Sequence, residues 1–187
     1  MPEIIPEIAV RRARRAMSHR PVAEEVVQRL LEAATLAPSC SNNQPWRFVV
    51  VSEPEQLERL REALTRGNAW AQRSPCVVAA VTDVDTDCRL GDRRDYALFD
   101  LGLAVGNLVS QGTREGLYAH PIAGFQPQKV KEVLGIPAGH IVVTLVILGY
   151  PGDEAALNEK QRAEEHAERV RRPLAEVAMR DRWGGAP

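Results

Sequence analysis

The sequence predicts an α+β domain, a mixed central sheet flanked by helices. Three observations carry this. Apolar, largely β-branched runs at residues 47–52, 76–82 and 141–148 have the length and composition of strands. The segments between them repeat apolar residues at helical spacing, and one of these, residues 95–115, is apolar enough to be central to the core or to a subunit interface. At 187 residues, with no Pro/Gly/Ser-rich linker, the chain reads as one domain over residues 1–187.

Taken in order, residues 7–17 read as an arginine-rich helix. Pro21 and Val22, followed by Glu24 and Glu25, open a second helix on which Val26, Val27, Leu30, Leu31 and Ala34 recur at helical spacing. After the strand at 47–52, Pro54 starts a third helix that runs through Leu64. Residues 76–82 form a buried strand, and 83–92 a short polar connection. Leu98, Leu101, Val105, Leu108 and Val109 mark the long apolar helix, with Gly102 and Gly106 one turn apart where another helix can approach closely. Residues 120–125 read as a loop leading to a short helix that ends at Leu134. The strand at 141–148 is the most β-branched of the chain, and residues 151–187 are mostly polar, an arm that lies on something else.

Charge excludes some classes of function. Twenty-four basic residues nearly balance 25 acidic ones, so the molecule as a whole does not match nucleic acid or an anionic bilayer, and aromatic residues are sparse for base stacking. Met1 to Glu7 lacks the apolar core of a secretory signal, and no apolar run approaches a membrane span. Cys40, Cys76 and Cys88 are odd in number and widely spaced, which argues against a disulfide framework and a zinc site and for a reducing, cytoplasmic home. His19, His120, His140 and His166 form no metal-ligand spacing. No nucleophile elbow, P-loop or dinucleotide glycine pattern is present, so acyl and phosphoryl transfer have no support.

Three places carry candidate chemistry. The loop Ala37-Pro38-Ser39-Cys40-Ser41-Asn42-Asn43-Gln44-Pro45-Trp46 lines up side-chain donors and acceptors between two stiffening prolines and ends on a large flat ring, which suits gripping a heterocycle. The run Arg11-Arg12-Ala13-Arg14-Arg15 could converge on a phosphate if Arg11 and Arg15 share a helix face, although read alone it describes a solvated basic face. The same holds for Arg169-Val170-Arg171-Arg172. Finally, Pro121-Ile122-Ala123-Gly124-Phe125 offers backbone amides beside a glycine, either to hydrogen-bond a ring or simply to enter a helix.

Residues 11–22, then 37–46, resemble the opening of the FMN-dependent nitroreductase family. The resemblance continues in order through residues 121–125, 134–137 and 148–151, and closes with Arg171-Arg172-Pro173-Leu174 and Arg182-Trp183-Gly184, so that it spans nearly the whole chain. It implies an intertwined homodimer, with residues 151–187 packing on the partner subunit. It further implies that Arg11, Arg169 and Arg171 clasp the FMN phosphate, with Arg172 an alternative if the register moves by one, and that Arg15 faces the pyrimidine edge of the flavin. Pro38, Ser39, Asn42 and Gln44 would come from the partner, Ala123 and Gly124 would present amides near flavin N5 within the stretch from Pro121 and Ile122, and Asn68 would lie at the flavin edge. Ala13 stands where the family commonly has serine, a missing hydroxyl contact that Arg12 or Arg14 can cover.

Under this resemblance the flavin carries the chemistry. NAD(P)H would donate electrons to bound FMN, which would pass them to a nitroaromatic, quinone or related conjugated acceptor, with no catalytic side chain and no metal required. The short segment at 83–95 leaves no room for a substrate lid and suggests an open, permissive pocket. The alternative from another class is a dimer that binds FMN or a phosphorylated ligand without turnover.

Overall fold

The computed structural model describes residues 4–185. A four-stranded sheet divides two helical layers. Its strands are β1 (Trp46–Val51), β2 (Cys76–Thr82), β3 (Tyr118–Ile122) and β4 (Ile141–Gly149), in the order β1-β2-β4-β3. On one face lie α2 (Glu24–Thr35) and α4 (Tyr96–Arg114); on the other lie α3 (Pro54–Arg61) and α5 (Pro127–Leu134). Short helices α1 (Pro6–Val10), α6 (Glu159–His166) and α7 (Leu174–Val177) sit at the two ends of the chain.

The alternation of β2 explains the two layers. Val77, Ala79 and Val81 join Leu57, Leu60, Val130, Leu145 and Ile147 in one core, while Cys76, Val78 and Ala80 join Leu30, Ala34, Leu101, Leu108 and Val146 in the other. All seven β2 residues are buried, as a central strand covered on both faces must be. Leu30, Leu101 and Leu108 are fully buried, and each adds about 1.5–3 kcal/mol by leaving water.

The α+β class is borne out, and four local expectations are corrected. Every strand pairing is antiparallel rather than mixed. The connections through α3 and α5 join antiparallel neighbours, so that Val51 at the end of β1 pairs with Val77 at the start of β2, while β2 and β3, joined through α4, run in the same direction with β4 inserted between them. Residues 118–122, expected as loop in part, form the edge strand β3. Pro121 is tolerated there because an edge position leaves one side of the strand without ladder bonds.

The first helix stops at Val10, and Arg11 is already extended at φ −55° and ψ 133°. A helix continued through this run would stack Arg11 on Arg14 and Arg15, like charges on one face. Extended chain instead lets Met17 bridge to Pro151, with the Ser18 amide donating to Tyr150 and the Gly152 amide to Ala16.

The fourth correction concerns sulfur. Cys40 and Cys88 form a disulfide, with Cα atoms 6.2 Å apart across 48 residues of sequence, and Cys76 alone is free. Odd number and wide spacing along the chain say nothing about proximity once β1, β2 and α4 have been packed together. No helix among the described residues is long and apolar enough to cross a membrane.

Candidate functional site: an arginine cleft between the chain ends

The two distant basic clusters meet. Arg11, Arg12, Arg14 and Arg15 line one wall of a cleft of about 260 Å³, and Glu164, Glu168, Arg169 and Arg171 line the other, with Ala13 between them. Arg169 carries the junction. Its guanidinium donates to the carbonyl oxygens of Ala9 at 2.8 Å, Ile8 at 3.4 Å and Arg11, the exposed C-terminal end of α1. Arg12 reciprocates by donating to the Ala167 carbonyl.

The arginines fall into two electrostatic groups. Arg14 and Arg15 are neutralised: Glu165 lies 3.8 Å from Arg14 and accepts the Arg15 amide at 2.8 Å, and Glu164 pairs with the Arg15 guanidinium at 2.9 Å. Arg11, Arg12, Arg169 and Arg171 have no carboxylate partner among the described residues. Burial, then the charges of Arg169, Arg171 and Arg12, press the Arg11 pKa below its ordinary value. Several guanidinium forks facing one another without an anion are what a phosphate group would relieve.

Beside the cleft, Arg15 lies 6.0 Å from the centre of the Trp70 ring, and Trp70 stacks on His120 at 4.7 Å. His120 Nδ1 meets the Arg14 carbonyl at 3.0 Å, and burial, the largest influence, lowers the His120 pKa. Gly124 is held through its carbonyl, which accepts the Asn68 Nδ2 at 3.0 Å, the Thr65 Oγ1 at 2.9 Å and the Thr65 amide at 3.0 Å. A Cβ at Gly124 would come within 2.4 Å of the Asn68 Nδ2 and 2.7 Å of the Thr65 Oγ1, so that both side chains would have to move off the Gly124 carbonyl.

The polar loop stands apart from the cleft. Pro38, Asn42 and Gln44 are exposed, Ser39 is half-buried, and none of them lines the arginine cavity. Asp100, 1% exposed on α4, accepts the Cys40 amide at 2.7 Å; burial is the main cause of its raised pKa.

Comparison with known proteins agrees with this architecture. The family model described as the nitroreductase family matches residues 8–83 and 64–150. The chain belongs to the nitroreductase family. It is 32% identical over 174 residues to a Thermus thermophilus NADH dehydrogenase, covering 77% of this chain and 84% of that one. It is 26% identical over 186 residues to a Bacillus subtilis FMN reductase (NAD(P)H), covering 90% and 74%. A solved structure described as an oxidoreductase containing FMN superposes with a TM-score of 0.87 at 30% identity, covering 98% of this chain and 94% of its own.

Within this chain the expected site residues divide in two. Arg11, Arg12, Ala13, Arg15, Arg169 and Arg171 share one cleft, and Arg171 rather than Arg172 lines it. Asn68 and Gly124 form a second cluster, in which Asn68 is occupied by Gly124 and by the Trp70 Nε1, 3.2 Å from its Oδ1. Pro121 and Ala123 are exposed, and Ile122 is buried with its carbonyl accepting the Thr144 hydroxyl at 2.9 Å. Glu165, His120, Trp70 and Asp100 escaped sequence reading. A glutamate in a polar helix carries no local signal of burial, and only the pairing across the chain reveals it.

Proposed function

We propose that this nitroreductase is an FMN-dependent oxidoreductase that uses NAD(P)H to reduce a nitroaromatic, a quinone or a related conjugated acceptor in a ping-pong cycle. The observation that carries the reading is the convergence of Arg11, Arg12, Arg169 and Arg171, none of which pairs with a carboxylate among the described residues. When bound, FMN supplies a ring that accepts a hydride at N5 and delivers electrons to a second substrate.

The residues of the chain fit that group. Arg11, Arg169 and Arg171 hold the phosphate, and Arg12 replaces the hydroxyl that Ala13 lacks. Arg15, its amide fixed on Glu165 and its guanidinium beside Trp70, would place positive charge where the pyrimidine edge gains negative charge once it leaves Glu164, with which it is paired at 2.9 Å. The backbone at Ala123 and Gly124 presents amides to the ring, with the Gly124 peptide fixed by Thr65 and Asn68. His120 contributes no second charge at neutral pH, since burial disfavours its protonated form. Because electrons reach the acceptor from a cofactor, no side chain has to act as nucleophile or obligatory acid.

The unit of function is a homodimer. Leu36 is 82% exposed, Phe99 58% and Leu98 44%, and Gly102 and Gly106 have open space above them on the outer face of α4. Such a face calls for a second copy of the chain. Across it, Pro38, Ser39, Asn42 and Gln44 reach the partner's flavin. Residues 151–171 fold back on their own chain, through buried Leu157 and Glu165 and through Arg171 in the arginine cleft, and the arm at residues 172–185, with Trp183 92% exposed, crosses to the partner. The dimer works in the cytoplasm, where NAD(P)H is available.

The test is the visible absorption spectrum of the purified protein, followed by anaerobic mixing with NADH and with NADPH. A yellow protein bleached by either nicotinamide and recoloured by a nitroaromatic or quinone supports the reading. A colourless protein that takes up no FMN and oxidises no NAD(P)H overturns it. A protein that stays yellow with both nicotinamides is instead a binding dimer without turnover, the reading that the missing hydroxyl at Ala13 favours.

A further inference from the structure

The loop from Pro38 to Pro45 is the most conformationally demanding segment outside the arginine cleft. Ser41, Asn42 and Gln44 hold φ of +49°, +57° and +50°, a left-handed region that favours glycine, and none of the three is glycine. Such a loop keeps its shape only while its surroundings insist on it.

Besides short-range turn bonds and the Thr82 hydroxyl on the Pro45 carbonyl, four restraints do so. The Ser39 hydroxyl accepts the Gln44 amide at 3.0 Å. Asp100 accepts the Cys40 amide at 2.7 Å, Asn43 Nδ2 donates to Asp87 at 3.1 Å, and Cys40 is bonded to Cys88. The last three all run to residues 87–100, the stretch that leads into and begins α4. Of the four, the sulfur bond alone can be made and broken by a reagent in solution. Cys40 and Cys88 are both half-buried and within reach of small molecules, whereas Cys76 is 1% exposed and sealed in the core.

We propose that Cys40 and Cys88 are a reversible redox clamp: closed, it fixes the Ser39–Gln44 loop against the segment before α4, and reduced, it releases the loop. Closure needs a peroxide. One thiolate attacks a peroxide oxygen, the O–O bond breaks, and a sulfenic acid and a hydroxide form, the hydroxide taking the proton of the second thiol to become water. The second thiolate then attacks the sulfenic sulfur, the S–O bond breaks, and the departing hydroxide is protonated. Two thiols and one peroxide thus give one disulfide and two waters, the two sulfurs supplying the two electrons. A small dithiol reverses the reaction by exchange and is itself oxidised to a disulfide.

The clamp stands on the loop's own geometry. Its consequence for the cofactor rests on the function proposed above. If Asn42 and Gln44 reach the partner's flavin, the reduced protein releases FMN faster than the oxidised one.

The experiment uses the full chain treated with hydrogen peroxide or with dithiothreitol, desalted, and split for native alkylation with peptide mapping and for hydrogen exchange. Cys40 and Cys88 should resist alkylation after peroxide and accept it after dithiothreitol. Amides of residues 39–44 should exchange about tenfold faster in the reduced protein, and in Cys88→Ser they should be fast under both treatments. Alkylation of both cysteines after peroxide, or equal exchange in the two states, overturns the proposal. So does one equivalent of zinc retained by the reduced protein, because Asp87 lies close enough to both sulfurs to complete a metal site instead. FMN release is read on the same two samples. Absence of FMN uptake in both counts against the flavin reading alone, and the peptide map and exchange rates still decide the clamp.

Discussion

Glu165, on α6, accepts the backbone amide of Arg15 at 2.8 Å across 150 residues of sequence, and it is 2% exposed. The same carboxylate lies 3.8 Å from the Arg14 guanidinium, so one buried group sets both the path and the charge of the arginine segment. Replacing it by alanine leaves a part-buried amide without its acceptor and the Arg14 guanidinium without its counterion, a loss of about 1–3 kcal/mol. Glu165→Ala should lower the unfolding free energy by that amount, read as a lower urea midpoint at unchanged slope, and weaken FMN binding. Glu165→Gln, which keeps an acceptor oxygen, should recover part of both, and equal behaviour of the two variants would show that Glu165 does not position the segment.

Arg11 repels Arg169, Arg171 and Arg12 in the ligand-free protein. Removing its charge should therefore cost the free protein little, while weakening the grip on a phosphate by about 10- to 100-fold, the range for a charge-assisted hydrogen bond. Titration calorimetry with FMN and thermal melting of ligand-free Arg11→Gln read the two effects. Arg172→Gln, outside the cleft lining, should leave affinity nearly unchanged.

His120 gives the protein a dependence on pH. Burial lowers its folded pKa below the unfolded value of about 6.5, so at mildly acidic pH the unfolded chain binds more protons than the folded one. Stability should therefore fall as pH drops through about 6.5 and level off once the folded pKa has been passed. His120→Gln, neutral throughout and still able to donate to Arg14, should flatten this slope in urea unfolding between about pH 7.5 and 5.5. A slope as steep as the wild type's would assign the effect to other groups.

Gly152 lies against backbone. A Cβ there would come within 2.3 Å of the Ser18 nitrogen and 2.5 Å of the Met17 carbonyl carbon, where no side chain can rotate aside. Gly152→Ala should force residues 16–18 away from residues 150–152, at a cost of about 1–3 kcal/mol. Because that pairing anchors the arginine segment, FMN affinity should fall with it. Differential scanning calorimetry and FMN titration of this one variant check both.

Phe99 tests the dimer. A charge on that outer face of α4 costs an exposed monomer nothing but opposes burial against a second copy. Phe99→Glu should shift sedimentation from dimer to monomer and abolish FMN retention together. A monomeric wild-type protein would remove the basis for a shared site.

The regular elements were legible where local pattern and burial agree. Strand β2 lies at residues 76–82 as its run of small and β-branched residues indicates, and α4 follows its apolar repeat to within a residue at each end. The pattern misled where a long-range contact outweighed local preference. The arginine run reads as helix until the Arg11 carbonyl is taken by Arg169 and Met17 pairs with Pro151, and Pro121 reads as loop until β4 takes it as an edge partner.

By itself the sequence determined the fold class, the order of most elements and the presence of two basic clusters and one polar loop, because these follow from residue types a few positions apart. Tertiary structure alone decided that Arg11 meets Arg169, that Glu165 is buried beneath Arg15, and that Cys40 lies beside Cys88. Each is a meeting of residues from 48 to 158 positions apart. Such meetings depend on the order in which four strands pair, and no local pattern of side chains encodes that order.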